Sequence, residues 1–323
     1  MKISIAMATF NGAQYLPAQL QSFVDQTRQP DELVITDDCS ADQTEAIIRK
    51  FAATAPFKVV FSRNERNLGY CGNFNAALMK TTGDLVFLSD QDDVWFPEKI
   101  EHMMDVAESH PEALIVMNDA ALTDGDLNEV GLTKVGQIRS AGYTLEHFMM
   151  GCCCGIRREL LDLCMPIPSG FNSHDGWLVW FADGLDAKVI ESRVLQYYRR
   201  HELNESQFIA NRTVRVSRAA AFLHSVKKLF EKNGHRRAQI QVEQITLFAQ
   251  GIRDAIKVAP EQYQEKMGQL LSMTESRIAT LKQRIEIREK WFIPRFFAAM
   301  RLFVKGGYRN TNGFKSVIRD LVG

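Results

Sequence analysis

The sequence predicts an α/β fold, in which a mostly parallel sheet is flanked by helices, followed by a helical C-terminal region. Short apolar runs alternate with helix-like segments through about residue 120. These runs are continuously apolar, which is typical of strands that are covered on both faces. From about residue 212 onward, apolar residues recur at helical spacing instead.

The first half of the chain provides the sheet. Ile3 begins the first apolar run, and the Asn11-Gly12 turn signal closes it. Pro97 stands at the first position of a predicted helix, where its missing N–H costs nothing. The predicted strands are 3–9, 33–36, 58–62, 85–89 and 114–119, and the predicted helices are 13–26, 42–51, 72–80 and 97–109.

Beyond residue 140 the pattern is mixed. GCCCGIRREL (151–160) predicts a strand that leads into a helix, and SHDGWLVWFADG (173–184) predicts a helix with aromatic residues at helical spacing. A further strand is predicted within 188–201. Three amphipathic helices follow at 213–232, 236–257 and 262–290, separated by Asn233-Gly234 and by Pro260.

Composition excludes several classes of protein. The 323 residues are 46% hydrophobic and 24% charged, as in an ordinary globular protein. No apolar run approaches the roughly 20 residues that cross a bilayer, and the N-terminus shows no signal-peptide pattern. The six cysteines lack the spacing of a zinc site, and three are consecutive, so we expect buried thiols in a reducing compartment.

Charge is distributed unevenly although the formal net charge is zero. Residues 209–323 carry 22 basic and 9 acidic residues, whereas the preceding part carries 17 and 30. The resulting charges of +13 and −13 predict different partners for the two parts.

Polar clusters follow three of the predicted strands. They are Thr9-Phe10-Asn11, Asp37-Asp38 and Asp90-Gln91-Asp92-Asp93. In parallel sheets, ligands bind outside the carboxyl ends of the strands. The three clusters are therefore predicted to form one site.

Asp90 and Asp92 point the same way on an extended segment, since side chains alternate along it. Paired carboxylates suit a divalent cation, and oxygen ligands favour Mg²⁺ or Mn²⁺. The alternative is an acidic turn that caps the next helix. No GxGxxG or GxxxxGK[ST] loop is present, so bound phosphates would depend on the metal.

Three further residues are candidates, each with a structural alternative. Asp38 can accept the imide N–H of uracil or thymine, or it can cap a helix. Asp175 can act as a general base toward an acceptor hydroxyl, or either Ser173 or Asp175 can cap the helix that follows. His201 can bind the metal or phosphate, and it can equally be structural.

Four ordered segments within residues 1–120 resemble the nucleotide-binding half of the family 2 glycosyltransferases. They are SIAMATFNGAQYLPAQLQSFVDQT, LVITDDCSADQT, NLGYCGNFNAAL and GDLVFLSDQDDVWFPEKI. With HDGWLVW and YYRRHELN, the resemblance extends to about residue 207 and is greatest for the rhamnosyltransferase-type members. It implies a GT-A fold and an inverting reaction.

The resemblance also implies roles for residues. Thr9, Phe10 and Asn11 would bind the nucleotide, and Asp38 would bind its pyrimidine. Asp90 and Asp92 would form the metal–diphosphate motif, with His201 as a further ligand and Mg²⁺ or Mn²⁺ as cofactor. Asp175 would be the catalytic base. Asn73 and Asn75 match an NxN pattern that shapes the nucleotide loop.

The implied substrates are a dTDP- or UDP-sugar, with dTDP-rhamnose as the candidate donor, and a glycan or lipid-linked glycan acceptor of bacterial surface polysaccharide. The GCCCGIRREL segment and Gly176 depart from the family pattern on the acceptor side. The predicted location is the cytoplasm, or the cytoplasmic face of the inner membrane.

Two domains are predicted. Residues 1–207 would form the catalytic domain, with 1–120 for the nucleotide sugar and 121–207 for the acceptor. Residues 208–323 would form a helical region that associates with membrane or supports a homodimer. Its segment WFIPRFFAAMRLFVK (291–305) fits either an anionic membrane surface or packing on protein. No nucleic-acid-binding motif accompanies the basic charge.

Two other functions fit parts of the pattern. A sugar nucleotidyltransferase would also have an α/β fold and carboxylate-held Mg²⁺, but it would carry a Gly-rich N-terminal phosphate loop. A non-catalytic scaffold could retain the fold, although four intact carboxylates, Asp38, Asp90, Asp92 and Asp175, argue against this.

Overall fold

The computed structural model describes residues 1–201, 208–229, 234–308 and 313–322. The chain divides into two compact units, Met1–Ala221 and Phe222–Gly323. The domain boundary predicted at residue 207 and the helix break predicted at Asn233 lie outside the described residues.

The first unit starts with a parallel sheet in the order β3-β2-β1-β4. The predicted alternation of strands and helices is confirmed here. The strands are β1 (Ile3–Thr9), β2 (Glu32–Asp37), β3 (Lys58–Arg63), β4 (Leu85–Ser89) and the two-residue β5 (Val94–Trp95); the helices are α1 (Leu16–Val24), α2 (Thr44–Ala52), α3 (Gly69–Leu78) and α4 (Lys99–Ser109).

The sheet then extends to nine strands in all, and β5, β7 and β8 run against the others. The added strands are β6 (Ile115–Thr123), β7 (Glu129–Thr133), β8 (Cys154–Arg157) and β9 (Lys188–Arg199); the added helices are α5 (Lys134–Ser140), α6 (Arg158–Cys164) and α7 (His174–Gly184). The strand and helix predicted in 151–160 correspond to β8 and α6.

Strand β8 enters between β4 and β6 and is antiparallel to both. The alternation of strands and helices in the sequence predicts that β4 and β6 belong to one parallel sheet. It does not predict that β8 lies between them. A glycine makes the insertion possible, because a Cβ on Gly155 would lie 3.2 Å from Val116 Cγ2 and 3.3 Å from Phe87 Cε1.

Continuous apolar strands form the core of the first unit, as predicted. Met7, Ile35 and Phe87 on the central strands have no exposed surface, and Phe23 and Met103 cover them from the helices. Burying each such side chain contributes about 1.5–3 kcal/mol. The strands are thus fixed firmly enough to hold the loops at their carboxyl ends.

The second unit is helical. Its small core is centred on the carboxylate of Asp320, which accepts hydrogen bonds from Arg284 (2.7 Å), Arg288 (2.8 Å) and the hydroxyl of Tyr308 (2.9 Å). The helices are α8 (Arg218–Leu229), which crosses the boundary between the units, α9 (Gly234–Val258), α10 (Glu261–Glu289), α11 (Phe292–Val304) and α12 (Phe314–Val322). In the described part of the chain, no helix is both long and apolar enough to span a membrane.

Candidate functional site

The polar clusters predicted to converge do meet at one edge of the sheet. Thr9 at the end of β1 is in register with Asp37 on β2, and Met7 is in register with Ser89 at the end of β4. The segments that follow these three strands therefore leave the sheet side by side.

Asp38 is buried at this edge with one carboxylate oxygen engaged. Its backbone N–H donates to the carbonyl of Thr9 (2.9 Å). Its Oδ1 accepts from the side-chain amide of Asn64 (2.9 Å) and from the backbone N–H of Leu68 (2.8 Å). No described residue hydrogen-bonds to Oδ2, so this oxygen is available to a ligand.

Asn73 lies behind Asp38 instead of facing outward. Its Nδ2 donates to the carbonyl of Thr9 (3.1 Å), and its Oδ1 accepts from Asn64 (3.0 Å). The amide is engaged at both ends, so Asn73 braces Asn64 against Asp38. Asn75 supports the other side of α3, where its Oδ1 accepts from the backbone N–H of Ile167 (2.8 Å).

The loop after β1 is shaped by Gln91, which sequence reasoning did not select. Its amide donates to the carbonyl of Phe10 (3.0 Å) and accepts from the Phe10 N–H (2.9 Å). A Cβ on Gly12 would lie 2.1 Å from Gln91 Oε1, so a larger residue there would displace the Gln91 amide that holds Phe10. The phenyl ring of Phe10 remains 48% exposed at the rim of the site.

Asn11 and Thr9 hold the same loop from below. Asn11 has a left-handed φ of 47°, its N–H donates to Ser40 Oγ (2.8 Å), and its Oδ1 accepts from the Ala41 N–H (2.8 Å). The Thr9 hydroxyl donates to Asp37 (3.1 Å). Both side chains therefore position the loop through internal bonds.

Asp90 occupies a strongly negative environment. Burial, together with the negative charges of Asp92 and Asp175, raises the pKa of its carboxyl to about 7, while Cys152 and Lys99 act in the opposite direction. The carboxylates predicted to bind metal and to act as base are therefore close enough to repel one another. A divalent cation would relieve this repulsion.

Asp92 and His201 are brought together although 109 residues separate them. Asp92 Oδ2 lies 2.8 Å from His201 Nε2, and the imidazole stacks on Tyr15 at 4.6 Å between ring centroids. Arg199 holds the same loop, because its Nε donates to the carbonyl of Asp92 (2.7 Å). Carboxylate and imidazole ligands together suit Mn²⁺ or Mg²⁺ with further water or phosphate ligands.

Asp93 points into the protein. Its carboxylate accepts from Gln196 Nε2 (2.9 Å) and from the backbone N–H of Arg199 (3.2 Å), and burial raises its pKa well above the ordinary value. These contacts make Asp93 a residue that holds the loop after β4 in position.

Among the described residues, one group of potential metal ligands lies within 4.8 Å, namely Asp90, Asp93 and Cys152. Burial raises the pKa of the Cys152 thiol well above its ordinary value, so the thiol stays protonated and is a poor ligand. The oxygens of Asp93 are also engaged, so this group is not an open metal site. In the part of the chain that the structure describes, Asp90 does not form such a group with Asp92 and His201, so these three would have to approach one another to share an ion.

Lys99 is a second residue that sequence reasoning missed. It has no exposed surface, and its Nζ donates to the carbonyl of Cys152 (2.7 Å) and to Gln196, and lies 4.0 Å from the ring centroid of Trp95. Burial lowers its pKa. A signal was available, because Lys99 precedes Met103 by four residues and so shares the buried face of α4.

Asp175 lies in the first turn of α7, whose N-cap is Ser173, as the structural alternative predicted. Its Oδ1 accepts from the Ser173 hydroxyl (2.7 Å) and from the backbone N–H of Gly176 (2.8 Å). No described residue hydrogen-bonds to Oδ2. Capping and base catalysis are therefore compatible, because the two oxygens serve different purposes.

His174 forms the wall beside Asp175. Its imidazole is buried and stacks on Phe74 at 3.9 Å, and neither ring nitrogen has a hydrogen-bond partner in the described part of the chain. Burial lowers its pKa, so the ring is neutral. Gly151 packs against it, because a Cβ there would lie 2.8 Å from His174 Nε2 and 3.6 Å from Asp175 Cβ.

Replacing Gly151 with alanine should lower the free energy of unfolding by about 1–3 kcal/mol, since the stacked imidazole cannot move away without strain. Urea denaturation measures this. Gly125→Ala is the matched control in the same unit, because its nearest neighbours would lie 3.9 and 4.0 Å from the new Cβ. Equal stability of Gly151→Ala and wild type would show that the His174 imidazole can move aside without cost.

Comparisons with known proteins agree with this architecture. The family model described as glycosyl transferase family 2 matches residues 4–164. An uncharacterized glycosyltransferase from Nostoc sp. is 29% identical over 66% of this chain and 69% of its own length. The dTDP-rhamnosyl transferase RfbG from Shigella flexneri is 26% identical over 62% of this chain and 73% of its own length. The chain spans 38% to 49% of three other curated relatives that it matches.

Solved structures show the same fold. TarS from S. aureus in complex with UDP matches with a TM-score of 0.58 and 16% identity, over 99% of this chain and 89% of that one. The mannosyltransferase PcManGT from Pyrobaculum calidifontis, in complex with GDP-Man and Mn²⁺, matches with a TM-score of 0.50 and 16% identity, over 99% and 86%. At these identities the likeness concerns the fold alone.

Proposed function

Because this chain belongs to glycosyltransferase family 2 and has the GT-A fold, we propose that it transfers a sugar from a nucleoside diphosphate to a glycan hydroxyl, with inversion. One observation carries the proposal. A Cβ on Gly151 would lie 3.6 Å from Asp175 Cβ, and the thiol of the next residue, Cys152, lies within 4.8 Å of a carboxylate oxygen of Asp90, so the candidate base and the candidate diphosphate site lie close together. An inverting displacement needs these two groups on opposite sides of the reacting sugar.

Asp38 is proposed to select a pyrimidine base. Its Oδ2 is available, and a carboxylate oxygen can accept a hydrogen bond from the imide N–H of uracil or thymine. Cytosine and adenine have an acceptor nitrogen in place of that N–H. The exposed ring of Phe10 lies at the rim of the same site and can stack on the base. The similarity to a dTDP-rhamnosyl transferase favours dTDP-rhamnose as donor.

Asp90, Asp92 and His201 are proposed to hold Mg²⁺ or Mn²⁺. When bound, the ion neutralises charge on the diphosphate and makes it a better leaving group. Lys99, Gln196 and Arg199 hold the backbone of the loop in place from beneath.

Asp175 is proposed to remove the proton from the acceptor hydroxyl through Oδ2. The hydrogen bonds from Ser173 and Gly176 to Oδ1 fix the carboxylate so that Oδ2 is presented to the acceptor. The wall of His174 and Gly151 restricts the acceptor's approach on that side.

The proposed acceptor is a glycan or lipid-linked glycan of bacterial surface polysaccharide, as the resemblance of the sequence segments implies. All six cysteines are free, which supports a reducing compartment and hence the cytoplasmic side of the membrane. A scaffold that binds nucleotide without turnover is the remaining alternative, and it would show neither sugar transfer nor donor hydrolysis.

Asp38→Asn should weaken binding of dTDP and UDP about 10- to 100-fold, the equivalent of one charge-assisted hydrogen bond. Asparagine keeps Oδ1 for Asn64 and Leu68 but turns the second position from an acceptor into a donor, so the fold is retained. Titration calorimetry with Mn²⁺ measures the affinities, and exposed Asp105→Asn is the control. Unchanged affinity would place the base elsewhere.

A further inference from the structure

Helix α11 presents an apolar face to solvent, which is unusual for a helix at the surface of a globular protein. We name this the α11 outer face, and its side chains are 42% to 82% exposed. It consists of Phe292, Ile293, Phe296, Phe297, Phe303 and Val304.

These side chains form one continuous stripe. At about 100° per residue they fall within an arc of roughly 140° on the helix. The other side of α11 is already used, because Ala299 and Leu302 pack with Ile287, Tyr308 and Val317 in the core of the second unit. The exposed stripe is therefore additional to the face that folds the helix.

The charges within residues 290–305 are all positive, and the exposed Glu289 precedes this segment. Residues 290–305 contain no acidic residue. Lys290, Arg301 and Lys305 are exposed. On the helical projection, Arg301 lies next to Phe297, which forms one edge of the stripe. Arg295 is fixed by donating to the backbone carbonyls of Lys290 (2.9 Å) and Arg288 (2.7 Å).

We propose that the α11 outer face docks onto the surface of an anionic lipid bilayer, with the helix in the plane of the membrane. Aromatic and aliphatic side chains bordered by basic ones are the features of interfacial helices. Each basic residue near such a surface adds attraction of its own. Because every charge within residues 290–305 is basic, the segment complements an anionic surface.

The helix lies on the membrane and does not cross it. Its 13 residues span about 20 Å, less than the roughly 30 Å of the hydrocarbon core. Trp291, which is 69% exposed, stands at the start of the stripe, where indole rings favour the headgroup region. The proposal concerns the second unit alone and does not depend on the chemistry assigned to the first.

Flotation of the full-length protein tests the proposal, with vesicles of phosphatidylcholine alone or mixed with phosphatidylglycerol. We expect binding to the mixed vesicles only, weakened by salt. Phe292→Ser/Phe297→Ser should reduce the bound fraction about ten-fold or more, because two large apolar side chains no longer enter the bilayer. Val258→Ser/Met273→Ser is the matched control, since both side chains are similarly exposed in the same unit; its binding should equal that of wild type.

Trp291 provides a second measurement. Its fluorescence should be quenched by brominated lipids in anionic vesicles, and Trp291→Phe should abolish that quenching. Equal binding to neutral vesicles, or equal loss in the control variant, would overturn the proposal. The proposal would also be overturned if the wild-type protein bound no vesicles and formed a dimer without lipid, and if sedimentation showed that Phe292→Ser/Phe297→Ser dissociates this dimer. Donor hydrolysis by all variants should match wild type, which separates this test from that of the catalytic site.

Discussion

Asp175→Asn should lower the rate of sugar transfer about 10²–10⁴-fold, the usual contribution of a positioned general base. The replacement is isosteric, and its Oδ1 still accepts from Ser173 and Gly176, so the start of α7 should not change. What is lost is the proton acceptor at Oδ2. Single-turnover transfer from dTDP-rhamnose to a glycan acceptor measures the effect.

The affinity of Asp175→Asn for dTDP should stay within a few-fold of the wild-type value, because the nucleotide contacts assigned to Asp38 are untouched. Asp162→Asn, an exposed carboxylate on α6, is the control and should retain full rate. Undiminished turnover in Asp175→Asn would refute the base assignment. A loss of nucleotide affinity as large as the loss of rate would assign Asp175 to the donor site.

Asp92→Asn should abolish the Mn²⁺ dependence of dTDP and UDP binding and lower the transfer rate by about 100-fold or more. A bound cation supplies several kcal/mol of charge stabilisation, and about 1.4 kcal/mol corresponds to a factor of ten in rate. Asp92 is only partly buried and its partner is His201, so the fold should survive the change. Thermal shifts with each nucleotide, with and without Mn²⁺, measure the metal-dependent part.

Cys152→Ala distinguishes the two sets of potential ligands. If Asp90, Asp92 and His201 hold the metal, this variant keeps the Mn²⁺ dependence, and His201→Ala weakens it. If the closer group of Asp90, Asp93 and Cys152 holds the ion, the Cys152 variant loses the dependence and the Asp92 variant retains it.

The family and the enzyme class predicted from four sequence segments are confirmed by the family match and by the curated relatives. The GT-A fold is confirmed by the solved structures. These predictions succeeded because they rest on local order along the chain. Asp37-Asp38 and Asp90–Asp93 each follow an apolar run directly, so the end of the sheet at which they lie is fixed once the strands are parallel.

Other features of the site depended on contacts between distant segments. Gln91 holds the backbone of Phe10 across 81 residues, and Lys99 reaches Gln196 across 97. No local pattern identifies such partners. The roles assigned to Asp38, Asp92, Asp175 and His201 stay predictions, to be decided by the variants above.

The sequence by itself determined the order of the first four strands and helices, the edge of the sheet that carries the polar clusters, and the family, because periodicity and turn signals are local properties. It did not predict β5, β7 and α5. The tertiary structure alone decided that β8 enters antiparallel between β4 and β6, and which polar groups are already engaged. Asn73 and Asp93 are turned inward, whereas Asp38 and Asp175 each keep one carboxylate oxygen for a ligand. A polar atom's availability depends on which donors the fold brings within about 3 Å of it, and those donors come from distant parts of the chain.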